Sequence, residues 1–170
     1  MTEKGKQLIK KYEGCSLVAY KCPAGKYTIG WGSTTYADGT PVQEGDKIDQ
    51  ATANQLFDVM IEKFEKQTRL ILGDTLCATL PKEAIDALIS FAYNCGTNAL
   101  AKSTLLKRIK ESKNNLEEIE KQWLRWNKAG GKELAGLTRR RKEEFKMYKE
   151  AVLSAYTKVE CYEIGKGNKV

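Results

Sequence analysis

The apolar residues of this 170-residue chain change their period once, at Asp49. Upstream, residues 15–46 are rich in Gly, Thr and Tyr and carry turn signals at Pro23-Ala24-Gly25 and Asp38-Gly39. Downstream, the spacing is helical and stays so to about residue 156. A chain patterned this way fits neither an all-helical bundle nor an all-β sandwich. It predicts an α+β protein with two parts. A small antiparallel sheet lobe covers about 15–46, with two or three strands joined by short links. A helical lobe covers about 50–156 and includes the N-terminal helix, with a cleft left between the lobes.

The elements follow from local chemistry. Residues 3–13 read as a short helix capped by Thr2 and ended by Gly14, with Leu8, Ile9 and Tyr12 on its inner face. KYTIGWG alternates as a strand does. Asp49 is an N-cap for a helix carrying Ala53, Leu56, Phe57, Met60, Ile61 and Phe64, which ends near Leu72-Gly73. Pro81 starts another with Ile85, Leu88, Ile89 and Ala92 inward, ending at Tyr93-Asn94-Cys95-Gly96. Further helices are expected over about 99–112, 115–127 and 135–156, with Gly130-Gly131 before the last. Residues 157–170 read as a tail with a frayed end.

Composition narrows the chemistry. The chain has no histidine, so a histidine base, nucleophile or metal ligand is excluded, and no metal or cofactor is expected. Its formal charge of +7 favours an anionic partner: nucleic acid, an acidic membrane surface or a cell-wall polymer. Five irregularly spaced cysteines, Cys15, Cys22, Cys77, Cys95 and Cys161, suit buried thiols better than a disulfide framework. The N-terminus is too charged for a signal peptide and no apolar run reaches a membrane span, so stable membrane insertion is not expected.

The stretch YEGCSLVAYKCPAGKYTIGWG carries the reactive side chains. A Glu at a helix end is most often a solvated surface residue. Glu13, however, follows an apolar helix face, sits where the chain turns and precedes a Gly-punctuated hairpin that can approach a ligand closely. The negative end of the helix dipole also opposes a further negative charge there, which suits a general acid. Thr28 lies mid-strand, where Thr is common for β-propensity alone. Cys22 precedes a proline in a turn. Without a histidine partner it is a modest nucleophile.

Taken together, Glu13, eight intervening residues, Cys22, five more and Thr28 resemble the Glu-x8-(Asp/Cys)-x5-Thr triad of phage-type lysozymes, the glycoside hydrolase family 24 endolysins. EGCSLVAYKCPAGKYTIGWGST, SFAYNCGTNALAKSTLLKRI and GLTRRRKEEFKMY are similar to successive blocks of that family, over about residues 5–150. The resemblance implies a lysozyme-like domain over 1–156. It implies an enzyme that hydrolyses the β-1,4 bond between N-acetylmuramic acid and N-acetylglucosamine, with Glu13 as the acid, Thr28 placing a water or the sugar, and Cys22 where many members have Asp. Asn94 and Ser103 match positions lining the cleft, although each can equally serve as a helix cap. In the run Arg139-Arg140-Arg141, Arg140 matches an arginine that approaches the acid. Asp38 and Asp46, the nearest downstream carboxylates, fall in turns.

The implied partner is the peptidoglycan glycan strand, with no nucleic acid, and the implied state is a monomer. It would wait in the host cytoplasm until a holin opens the membrane. Two other outcomes stay open because a second carboxylate is missing: transglycosylase-type cleavage, and a wall-binding module without catalysis. A nucleic-acid binder is disfavoured because the lysines are spread over the helices without a recognisable motif.

Overall fold

The computed structural model describes residues 1–166, with side-chain surroundings through residue 157. Helix α1 (Glu3–Tyr12) leads into strands β1 (Ser16–Lys21) and β2 (Tyr27–Gly30). The helical body follows: α2 (Gln50–Leu72), α3 (Asp74–Thr79), α4 (Lys82–Cys95), α5 (Thr97–Lys102), α6 (Thr104–Glu111) and α7 (Leu116–Leu124). A two-residue hairpin, β3 (Lys128–Ala129) and β4 (Lys132–Glu133), precedes the long α8 (Ala135–Lys166). The order is the α+β one expected.

Three boundaries agree with the cap chemistry of the sequence. Thr2 Oγ1 accepts from the Gly5 amide at 3.2 Å, and Asp49 Oδ1 accepts from the Thr52 amide at 2.7 Å. Glu13 is the C-terminal cap of α1, its amide still bonded to Ile9 O. Three other boundaries differ from expectation. The helix expected over 99–112 is broken at Ser103, whose extended backbone and side chain cap a new helix. Residues 74–79 form a helix of their own, and α8 continues past 156 to Lys166.

β1 and β2 pair antiparallel, with Tyr20 opposite Thr28 and an irregularity between Ser16 and Tyr20. A third strand does not form. Isolated bridges Val18–Lys47 and Thr35–Pro41 extend the sheet instead. The lobe has a small core of Ile29, Val42 and Leu56, and Leu56 anchors it to α2.

In the helical body α4 is buried along most of its length and packs on α1, α2, α5 and α8. Around it Ile9, Phe57, Leu88, Phe91, Trp123 and Tyr148 make one continuous apolar core. That burial, at about 25 cal/mol per Å² of apolar surface, is the main term holding the ends of α1, α4 and α8 together. The fit at α1 is close. Asp86, 1% exposed, accepts from the Thr2 amide at 3.0 Å and from its hydroxyl at 2.5 Å, and a Cβ on Gly5 would come 2.7 Å from Asp86 Oδ2. Gly5→Ala is therefore expected to destabilise the fold. Overpacking costs about 1–3 kcal/mol, which outweighs the roughly 1 kcal/mol of helix propensity that Ala gains. Thermal unfolding checks this, and a raised Tm would contradict it.

Candidate active site

Glu13 stands at the junction of three elements. It ends α1, one residue before the chain leaves for β1, and its side chain is one quarter exposed. It lines a groove of about 710 Å³ with Lys11, Tyr12, Asn94, Leu137, Arg139 and Arg140. Arg140 NH1 donates to Glu13 Oε1 at 2.5 Å. Among the described residues Oε2 takes no protein hydrogen bond.

Arg140 reaches Glu13 from inside the protein. It is 2% exposed, with Nε donating to Glu144 Oε1 at 3.1 Å and NH2 to Ser90 O at 3.2 Å. Arg141, fully buried, donates from NH2 to Glu144 Oε1 at 2.9 Å and to Asn94 Oδ1 at 3.1 Å, and from NH1 to Cys95 Sγ at 2.8 Å. Its Nε lies 2.9 Å from Glu144 Oε2 but off the hydrogen-bond line. Glu144, fully buried, also accepts from Ser90 Oγ at 2.7 Å and Trp123 Nε1 at 3.0 Å. Two guanidinium charges thus face two carboxylates, which is the condition under which buried charges are tolerated.

The neighbours of this cluster stay neutral near pH 7. Burial pushes Tyr12 up to about 12, and burial also raises Tyr93, with the charge of Glu13 adding to the effect. The Tyr93 hydroxyl donates to Trp31 O at 2.7 Å and so ties α4 to the end of β2.

Of the residues expected from sequence, Glu13, Asn94 and Arg140 share this groove. Cys22 and Thr28 lie together on the hairpin, where the Thr28 hydroxyl is near the Cys22 thiol. The Cys22-Pro23-Ala24-Gly25 turn is closed by Gly25 N to Cys22 O at 2.8 Å, with Gly25 at φ +80°. The same turn aims amides at the thiol. The Lys26 amide first, with help from the Thr28 hydroxyl, holds the Cys22 thiol below its ordinary value. Thr28 itself is 4% exposed and donates to Lys26 O at 3.3 Å. Ser103 is buried. Its hydroxyl donates to Leu100 O at 2.7 Å and accepts from the Leu106 amide at 3.0 Å, so the capping role is the one displayed. It borders a different depression, beside Lys102, Lys107 and Lys110.

Asp38 and Asp46 are engaged in turns, with Thr40 and with Gln43 and Tyr36 respectively.

The cysteines differ in environment. Cys15, Cys22, Cys77 and Cys95 are free thiols, and Cys161 lies outside the described side chains. Cys22 is lowered, whereas burial raises Cys95. Since the thiolate is the nucleophile, iodoacetamide at pH 7 should label Cys22 faster than Cys95. Peptide mapping reads the order, and faster labelling of Cys95 would contradict it.

Sequence reasoning missed Glu144 and Arg141. Both fall within GLTRRRKEEFKMY, the block that resembles the family, but that resemblance gave a role to Arg140 alone, and the neighbouring Arg139 is exposed. The available signal was spacing. Glu144 sits at i+4 from Arg140 and i+3 from Arg141, immediately before the apolar Phe145, so all three share the inward face of α8.

Comparison with known proteins agrees with this architecture. The phage lysozyme family matches residues 10–144. The chain is similar to the endolysin of Acyrthosiphon pisum secondary endosymbiont phage 1, at 32% identity over 89% of this chain and 99% of that protein. It is 35% identical to the endolysin of Bacillus phage B103 over 85% of its own length, and spans about half (52%) of that relative. Among solved structures, the endolysin from Escherichia coli O157:H7 phage FAHEc1 superposes with a TM-score of 0.72 at 33% identity, covering 86% of this chain and 91% of that one. The chain belongs to the phage lysozyme family and has its lysozyme-like α+β fold.

Proposed function

We propose that the protein is an endolysin that hydrolyses the β-1,4 bond between N-acetylmuramic acid and N-acetylglucosamine in peptidoglycan, with Glu13 as general acid. The observation that carries this reading is the placement of Glu13: a carboxyl group at the rim of a 710 Å³ groove, one oxygen fixed by a buried arginine and the other free of protein partners. Arg140 selects Oε1, so the proton for the glycosidic oxygen sits on Oε2. A fixed donor of this kind contributes about 10²–10⁴-fold to a rate. Asn94, held by Arg141, supports the sugar from the α4 side.

Glycosidases commonly use two carboxylates. Here Cys22 takes the second position, acting as thiolate or weak base, with Thr28 beside it to place a water or the sugar. The lowered thiol and the amides aimed at it support that assignment. A second reading, cleavage by internal attack of the muramic acid hydroxyl as in transglycosylases, is favoured by one observation: the carboxylates of Asp38 and Asp46 are both taken up by hydrogen bonds within their turns. That chemistry needs only one acid/base residue.

The +7 charge attracts the enzyme to the carboxylates of the peptide stems, and the attraction weakens with salt. Among the described residues no helix is long and apolar enough to cross a membrane. We place the protein as a monomer that reaches the wall after a holin opens the membrane. The test is the count of new sugar ends released from purified insoluble peptidoglycan. New ends support the enzyme. Tight wall binding with no new ends would make it a binding module.

A further inference from the structure

We propose that Glu144 is the positioning residue of the site: its buried carboxylate holds Arg140 and Arg141 in a fork, one prong setting Glu13 and the other setting Asn94. The inference rests on the proposed role of Glu13 as acid. Its basis is the distribution of partners around two guanidinium groups. Arg140 spends Nε on Glu144 and NH2 on Ser90 O, leaving NH1 for Glu13. Arg141 spends its inner edge on Glu144 and its outer edge on Asn94 and Cys95. Glu144 is held in turn by Ser90 from α4 and Trp123 from α7, so its carboxylate has no freedom to follow a moving arginine. Both walls of the groove therefore take their geometry from one charge that never meets solvent.

Glu144 also sets the charge that Glu13 experiences. The ionisable or charged groups facing the cluster are Tyr12 and Glu13 from α1, Tyr93 and Cys95 from α4, and Arg139, Arg140, Arg141 and Glu143 from α8, while α7 presents Trp123. Burial raises Tyr12, Tyr93 and Cys95 above their ordinary values, which favours their neutral forms. With Glu144 neutralised, Glu13 is the carboxylate that remains bonded to Arg140, whose positive charge favours the ionised carboxylate.

Glu144→Gln keeps the size of the side chain and removes the charge. It should lower kcat on soluble glycan fragments about 100-fold, the scale of a misplaced reacting group, with a small change in KM. The alkaline limb of the activity profile, and the Glu13 carboxyl titration followed by ¹³C NMR, should both move to lower pH by roughly one unit. Lys149→Gln removes a charge at an exposed position of the same helix, outside the cluster, and should leave both curves in place. A Glu144→Gln protein with the wild-type titration curve of Glu13 would overturn the proposal whether or not the wild type proves to be a glycosidase. Absence of sugar-end release by the wild type would instead remove the proposed function. If Glu144→Gln does not fold, the charge-balanced pair Arg141→Met with Glu144→Gln replaces it. A kcat at least tenfold down with the titration unmoved supports the proposal, and wild-type kcat overturns it.

Discussion

Glu13→Gln is expected to lower the rate of turbidity clearing by about 10²–10⁴-fold while the protein remains folded and bound to the wall. The amide is the same size as the carboxyl and can still accept from Arg140 NH1, so the groove keeps its shape. What it lacks is a proton to give to the departing sugar oxygen. The loss should therefore appear in kcat and leave KM nearly unchanged, as expected for an interaction made in the transition state alone. Equal clearing by wild type and Glu13→Gln would reject the assignment. Loss of wall binding along with clearing would show instead that the carboxyl group had a binding role.

Trp123→Ala is the largest expected loss of stability, about 3–5 kcal/mol. Trp123 is fully buried and packs edge-on against Phe91 at 6.1 Å and Phe145 at 6.2 Å, with Tyr148 at 5.5 Å. Removing it leaves a cavity among aromatic rings that are pinned by α4 and α8 and cannot close over it. It also takes away the indole N–H bonded to Glu144 Oε2. Against a total stability of about 5–15 kcal/mol, such a loss brings the unfolding midpoint in urea far below that of the wild type. A change under about 1.5 kcal/mol would show that α7 contributes little to the core.

The lobes were legible in the sequence because each rests on a local pattern. Asp49 marks the period change and caps α2, and the Pro-Ala-Gly turn forces the β1–β2 hairpin. The elements that escaped are those whose signal is too short or lies elsewhere in the chain. α3 offers only six residues between Gly73 and Pro81, and β3 and β4 pair two residues each, too few to show a period. The break at Ser103 depends on its hydroxyl turning back to Leu100 O and the Leu106 amide, a local competition that the apolar spacing of 99–112 masks.

The site divides in the same way. Glu13, Cys22 and Thr28 are proposed from their order and spacing, which run from the end of α1 through the β1–β2 hairpin and resemble the family triad. Arg141 and Glu144 are not, since nothing in RRRKEE says that Ser90 and Trp123 will cover it. Burial of charge is a tertiary property, decided by which helices pack there.

The central claim is that Glu13 delivers a proton to a glycosidic oxygen and water completes the reaction. Mass spectrometry of the soluble fragments released from purified peptidoglycan tests it most directly. The account predicts fragments ending in a reducing N-acetylmuramic acid, each carrying one added water, absent from a Glu13→Gln digest. Fragments ending in the anhydro sugar would contradict hydrolysis and establish internal attack, and new ends at N-acetylglucosamine would contradict the assigned bond.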